Sequence, residues 1–359
     1  MNMDQNNLAG RFGFAYRLAR AGNTTLRGGI GMFSGRTPSI MLGTGMAQNG
    51  IQVQTYTLTS GLPTYPNVLG APPTLNRTPD IFVFAPDYVQ PLSYQWSLNL
   101  ERQLARDYVV TVGYLGVRGE HLSRTRDINL QPAVATQGSL ADGTPVTYLR
   151  HQSRVNPNFG RISGTLWQGS SHYQALQAVV AKSMSHGFQF RSAMTWGKSI
   201  DTLSATVADD SFPNGLMNPL FFDPRTTRGL SDFNVGKNLV LNLTWHPPAL
   251  RTHAKVLQWA FNDWQFGGVF KASSGQPLTP ILGGDPLGTK LDEPAAPPNR
   301  VVGPDCDSLS NLGNPNHYIR TQCLSFPNPA SLRGNLGRNT VIGPGIQNLD
   351  RKSTRLNSS

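Results

Sequence analysis

The sequence predicts an all-β fold, an antiparallel transmembrane β-barrel of the outer-membrane type, present in part as about eight or nine strands. Three observations lead there. Apolar and polar residues alternate with period two over repeated runs, the mark of a strand with one apolar and one polar face. Short turns alternate with very long Gly-, Pro- and Asn-rich connections. No uninterrupted apolar stretch approaches the ~18 residues a membrane helix needs, so any crossing of a bilayer must use strands.

The strands follow in chain order. Phe12, Phe14, Tyr16 and Leu18 alternate with Gly13, Ala15 and Arg17, and an Ala21-Gly22-Asn23 turn leads into Leu26, Gly28, Ile30 and Met32. Segment 92–103 alternates without a fault: Leu92, Tyr94, Trp96, Leu98 and Leu100 face one way, Ser93, Gln95, Ser97, Asn99 and Glu101 the other. Around Ala105 and Arg106 the chain turns tightly into 107–117, with Tyr108, Val110, Val112 and Tyr114 on one side. A third hairpin runs from 172–183 through Met184-Ser185-His186-Gly187 into Phe188, Phe190, Met194 and Trp196. Its first strand is patterned less cleanly than its second. Leu239, Leu241, Leu243 and Trp245 form a further strand, Trp264, Phe266 and Phe270 another, and a ninth begins near Ile346.

The connections carry as much information as the strands. Turns of a few residues, and a longer one at 247–263, alternate with stretches of about 57, 54, 35 and 70 residues. Short connections at one end and long ones at the other are the asymmetry of an outer-membrane barrel, with brief periplasmic turns and long extracellular loops. A soluble β-sandwich also alternates, but its loops divide between both ends and its outer faces are polar. The apolar face here is aromatic toward its ends. Tyr108, Phe188, Trp245 and Trp264 lie close to short turns, and Tyr94, Trp96, Tyr114 and Trp196 nearer long loops, as suits a membrane interface.

Composition removes other classes. Only 14% of residues are charged, against roughly a quarter in soluble domains, and Gly and Pro are abundant. The formal charge of +11 raises nucleic acid as a partner, but the 31 Lys and Arg are scattered singly and build no basic face, so none is expected. Cys306 and Cys323 lie close together in one loop-like segment, which reads as a candidate disulfide of an oxidising compartment, with two free structural thiols as the alternative. The seven histidines never fall at H-x-H or H-x-x-x-H spacing, so no zinc or non-haem iron site is expected. Asp209, Asp210, Asn214 and Gly215 could hold Ca²⁺, although the twelve-residue loop with its terminal Glu is missing. Gly284 to Lys290 is one residue short of a phosphate loop and reads as a turn. With no nucleophile elbow either, an enzyme is not expected, nor a cofactor. The polar residues of the inner face, Arg17, Arg27, Gln95, Asn99, Glu101, Arg191 and Lys271, have two readings: they solvate a lumen or bond to a plug, or some of them line a solute path.

The succession NNLAGRFGFAYRL, LRGGIGMFSGR, SYQWSLNLERQL, YVVTVGYLGVRGEHLSR, SSHYQALQAVVAKSMSHGFQFRSAMTWGKSID, GLSDFNVGKNLVLNLTW, WQFGGVFKASSGQPLTP and GNLGRNTVIGPG resembles the barrel of TonB-dependent, Oar-like outer-membrane proteins, from about residue 6 to 350. The resemblance implies a signal peptide, an N-terminal carboxypeptidase-regulatory-like or plug region, and a barrel of about twenty-two strands. It also implies that energised members draw a bulky solute through the barrel by contact with an inner-membrane TonB complex. The opening MNMDQNNLAGRFGF has no basic stretch followed by an apolar one, so the mature chain is cytosolic or its true N-terminus lies upstream. With the resemblance, the second option gains, and residues 1–350 read as a barrel fragment whose TonB contact lies in a plug outside this chain. The ending RKSTRLNSS, within 351–359, resembles translated adapter sequence rather than barrel sequence. Expected partners are outer-membrane lipid, the TonB complex and a solute of unassigned identity. The competing expectation is a surface or adhesion barrel that transports nothing.

Overall fold

The computed structural model describes residues 4, 7–18, 23–36, 39–54, 66, 78–131, 134–139, 145–150, 153–204, 227–282, 297–311, 313–326 and 334–355. Nine strands form the wall: β1 Arg11–Arg17, β2 Thr24–Ser34, β3 Leu92–Ala105, β4 Tyr108–Asp127, β5 Ile162–Ser185, β6 Phe188–Asp201, β7 Lys237–Trp245, β8 Trp264–Ser273 and β9 Ile346–Arg355. Each pairs antiparallel with the next in chain order, a pure meander. Two short segments join its upper rim, Ile81–Phe84 parallel to the start of β5 and Gly229–Leu230 antiparallel to the end of β6. Among the described residues β1 and β9 are the two edges of an open sheet.

Alternation dictates these strands because each successive side chain must leave the ladder on the opposite face. The apolar face stays uncovered: Phe12 is 68% exposed, Leu98 48% and Leu349 63%. Such exposure suits a hydrocarbon solvent and would be an aggregation hazard in water. At the short-turn end this face carries an aromatic belt, with the Trp245 and Phe266 rings 5.7 Å apart and those of Tyr108 and Phe190 6.4 Å apart.

The short connections are set by local geometry. His186 and Gly187 take φ of 51° and 72°, the left-handed pair that a two-residue hairpin needs to match strand twist. A Cβ at Gly187 would also sit 2.3 Å from the His246 carbonyl oxygen. The connection from β7 to β8 is not a plain loop, because it contains the helix Lys255–Phe261, on which Val256 and Phe261 are exposed.

Two boundaries differ from the sequence reading. β4 continues to Asp127 and β5 begins at Ile162, so the connection between them spans 128–161 and is shorter than expected. The alternation is unreadable there because the register slips between Gly119 and Leu122 and again between Leu122 and Arg124, with His121 at φ 56°. A bulge moves the following side chains off the period-two pattern. At the other end, β9 keeps its pairing past 350 as far as Arg355, although Arg351, Ser353 and Arg355 take the places where apolar residues alternate in the other strands. Backbone pairing does not require apolar side chains, which is why the ladder persists where the pattern fails.

The packed interior lies beyond the wall, at the long-loop end. Cys306, Leu309, Cys323, Leu336 and Val341 form a buried cluster flanked by Leu278, Tyr318, Ile319 and Leu324. Trp167, 6% exposed, meets Tyr88 edge to face with the ring centroids 4.8 Å apart.

Candidate functional site

The register decides which side chains share a face. One row crosses the sheet through Arg17, Thr25, Glu101, Thr111, Val179, Ala193, Val240, Lys271 and Asn348. Two residues higher, a second row joins Ala15, Arg27, Asn99, Gly113, Gln177, Thr195, Asn238 and Ser273. Gln95 lies two rows farther up the same face, and Arg191 one row below the first, between Ala181 and Asn242. The structure thus brings all seven expected inner-face residues to one face, with Leu100, Val112, Met194 and Leu239 on the other.

Their contacts are those of a wet surface. Arg27 and Glu101 approach to 3.9 Å with side chains 58% and 40% exposed, a pairing that water screens heavily. Arg17 donates to Asn23 at 3.0 Å, Asn23 donates to Gln103 at 2.8 Å, and Gln95 donates to the Ser93 hydroxyl at 3.2 Å. Arg191 and Lys271 are exposed. The face is not wholly polar, since Val179, Val240 and Val269 share it.

Above the wall, the sequence reading missed a buried ionic cluster. Arg338 pairs with Asp201 at the end of β6, and its Nη1 lies 3.7 Å from Asp232 Oδ1; all three side chains are 2–3% exposed. Asn339 donates to Asp232 at 2.6 Å and to the Leu230 carbonyl at 2.6 Å, while the Thr279 hydroxyl donates to Asn339 at 2.9 Å. Ser204 donates to Asp201 at 2.8 Å and accepts from the Asp232 backbone N–H at 2.9 Å. Three distant stretches of chain are therefore held together: the end of β6, the approach to β7 and the approach to β9. The motifs GLSDFNVG and GNLGRNT contain Asp232 and Arg338. They were visible as motifs, but nothing in one sequence pairs an acid with a base more than a hundred residues away.

A second clasp closes the connection from β4 to β5. Arg154 meets Asp127 at 2.6 Å, and buried Asn129 donates to the carbonyls of Asn156, Phe159 and Gly160. In the longest connection Cys306 and Cys323 are joined by a disulfide, with Cα atoms 5.4 Å apart. Among the described residues no group of three or more His, Cys, Asp or Glu could hold a metal ion. Asp209, Asp210, Asn214 and Gly215, like Gly284 to Lys290, lie outside the described residues.

A model of the outer membrane beta barrel domain family matches residues 1–355. The chain belongs to that family. It is accordingly an outer-membrane barrel domain, its apolar face toward lipid and its polar face toward the interior. A solved structure similar to this domain is the outer membrane transporter YddB from Escherichia coli, at 10% identity and a TM-score of 0.42, with 75% of this chain and 29% of that chain covered. The barrel domain thus spans under a third of that transporter's length. No curated protein sequence matches it.

Proposed function

We propose that this chain forms part of the wall and extracellular cap of a TonB-dependent outer-membrane transporter or receptor, taking up or binding a bulky solute without enzymatic chemistry. The observation that carries the reading is the segregation of faces. Nine strands put Arg17, Arg27, Gln95, Asn99, Glu101, Arg191 and Lys271 on one side and a predominantly apolar surface on the other. A wet, charged inner wall is of use to a barrel wide enough to admit solute, and an open nine-strand sheet fits a stretch of such a barrel. Unpaired edges are not tolerated in hydrocarbon, so β1 and β9 require neighbouring strands from the same gene product. The TonB contact belongs to a plug outside these residues.

The test uses cells expressing the gene product that contains this chain, with TonB present or deleted. Both are given a panel of fluorescent oligosaccharides, oligopeptides and metal chelates. Accumulation of one probe that disappears without TonB is the expected outcome. Surface binding of equal strength in both strains, with no accumulation in either, would instead favour the adhesion barrel. One observation supports that second reading: the disulfide-stapled loop unit has its own buried cluster and so presents a preformed surface.

A further inference from the structure

The wall's apolar face ends, toward the long loops, in a basic cavity. It encloses about 270 Å³ and is lined by Arg118, Ser170, Ser171, His172, Asp201 and Arg228. It opens where the ladder between β4 and β5 begins to slip, just past the regular pair of Arg118 with His172. By alternation Arg118 shares its face with Tyr94 and His172, which is the lipid-facing side. An arginine there needs a reason, because a cation on the lipid face costs about 2–4 kcal/mol at the midplane.

Depth supplies the reason. From Tyr108 in the aromatic belt, Arg118 lies ten residues up the same strand. That is roughly 34 Å along the strand at the usual rise, or about 26 Å along the membrane normal at a tilt near 40°. An outer-membrane barrel's apolar band is about 25 Å tall, so Arg118 sits at the level of the outer-leaflet headgroups. Trp96, whose ring centroid is 6.2 Å from that of His172, lies just beneath, as an amphipathic ring does at that boundary.

The charge balance selects an anion. Lys198, one row lower on the same face, and Arg228 are exposed, as is Arg118. Against them stands Glu120, 2.6 Å from Arg118. That contact leaves most of the five donors of the guanidinium available, its side chain being 59% exposed. Asp201 shares the one charge of Arg338 with Asp232, so that trio adds a single net negative charge, and with Glu120 it still leaves the three cations in excess. We infer that this cavity binds the phosphate of an outer-leaflet lipid headgroup, with Arg118 and Arg228 as its principal ligands. Planar guanidinium forks match phosphate oxygens, and Arg118 stands with His172 on the lipid-facing side of the ladder. The inference rests on outer-membrane placement and not on transport.

The experiment reconstitutes the full gene product into nanodiscs of phosphatidylcholine doped with lipid A or with its dephosphorylated form, and counts retained lipid by native mass spectrometry. Wild type should retain lipid A and not the phosphate-free form. The double substitution Arg118→Gln with Arg228→Gln should lower retention by at least roughly tenfold, since each removes a charge-assisted contact. Glu120→Gln, which relieves a competing carboxylate, should raise it, a gain that misfolding cannot imitate. Asn99→Gln on the inner face should change nothing. Equal retention of both lipid forms, no response to either the double substitution or Glu120→Gln, or displacement by millimolar inorganic phosphate would each overturn the assignment.

Discussion

The wall and the loop-end cap are built on opposite rules. In the wall, Leu98, Leu100, Val112 and Leu349 are 44–63% exposed, and nothing among the described residues covers them. In the cap, Asp201, Asp232 and Arg338 are 3–5% exposed and enclosed by other polar groups. The difference follows from solvent. Hydrocarbon accepts apolar side chains as readily as a protein core does but cannot satisfy a backbone N–H, so the wall is held by its ladder and needs no packed interior. The cap stands in water and must supply its own. It does so with a small apolar cluster and a network of ion pairs, which contribute less to stability than to fixing one arrangement of the loops.

The largest expected effect is in the cap. Arg338→Ala leaves Asp201 and Asp232 buried without their counter-ion, which costs on the order of 3–5 kcal/mol. Limited proteolysis of whole cells should then cut between β6 and β7 or between β8 and β9, while heat-modifiable migration of the barrel stays as in wild type. Loss of both together would mean that cap and wall are one cooperative unit. In the wall, Leu100→Arg should impair assembly by about 2–4 kcal/mol, and Asn99→Arg, one residue away on the wet face, hardly at all. Equal assembly of the two would reverse or abolish the face assignment.

Within the cap, Cys306→Ser opens a closure spanning 17 positions, worth about 3 kcal/mol in the entropic account of cross-linking. The expected readout is faster proteolysis confined to 297–326. Alkylation without reductant should leave both thiols of wild type unlabelled. The smallest effect belongs to the turn between β3 and β4. There the Ser185 hydroxyl, with help from Lys182 at 3.2 Å, holds the Asp107 carboxyl below its ordinary value. A lowered carboxylate contributes stability that is present above the unfolded value of about 3.9 and is lost as pH falls through the lower folded one. Asp107→Asn should therefore lower the urea midpoint slightly at pH 7 and not at pH 2, flattening the acid side of the profile.

The nine strands and both faces of the wall were legible because a strand one layer thick has no tertiary neighbours to override its alternation. Leu92 to Glu101 reads off as lipid and lumen residue by residue, and the same holds for Leu239 to Trp245. The upper reaches of β4 and β5 were not legible, since the bulges around His121 break the period that made the rest readable. The less regular pattern ahead of Ser185 has another cause: the register there is unbroken, but Ala175, Val179 and Ala181 put small or apolar residues on the inner face, so the two faces contrast less.

By itself, then, the sequence determined the architecture, the polarity of each face, the end that carries the long loops and the nearness of Cys306 to Cys323. Tertiary structure alone decided that Arg338 meets Asp201 and Asp232, that Arg154 meets Asp127, and that Arg118, His172 and Arg228 line one cavity. The physical reason is range. Alternation is imposed by the local backbone and by a featureless solvent, so it is written in neighbouring residues. An ion pair is set by where a long loop returns, which depends on every strand between its ends.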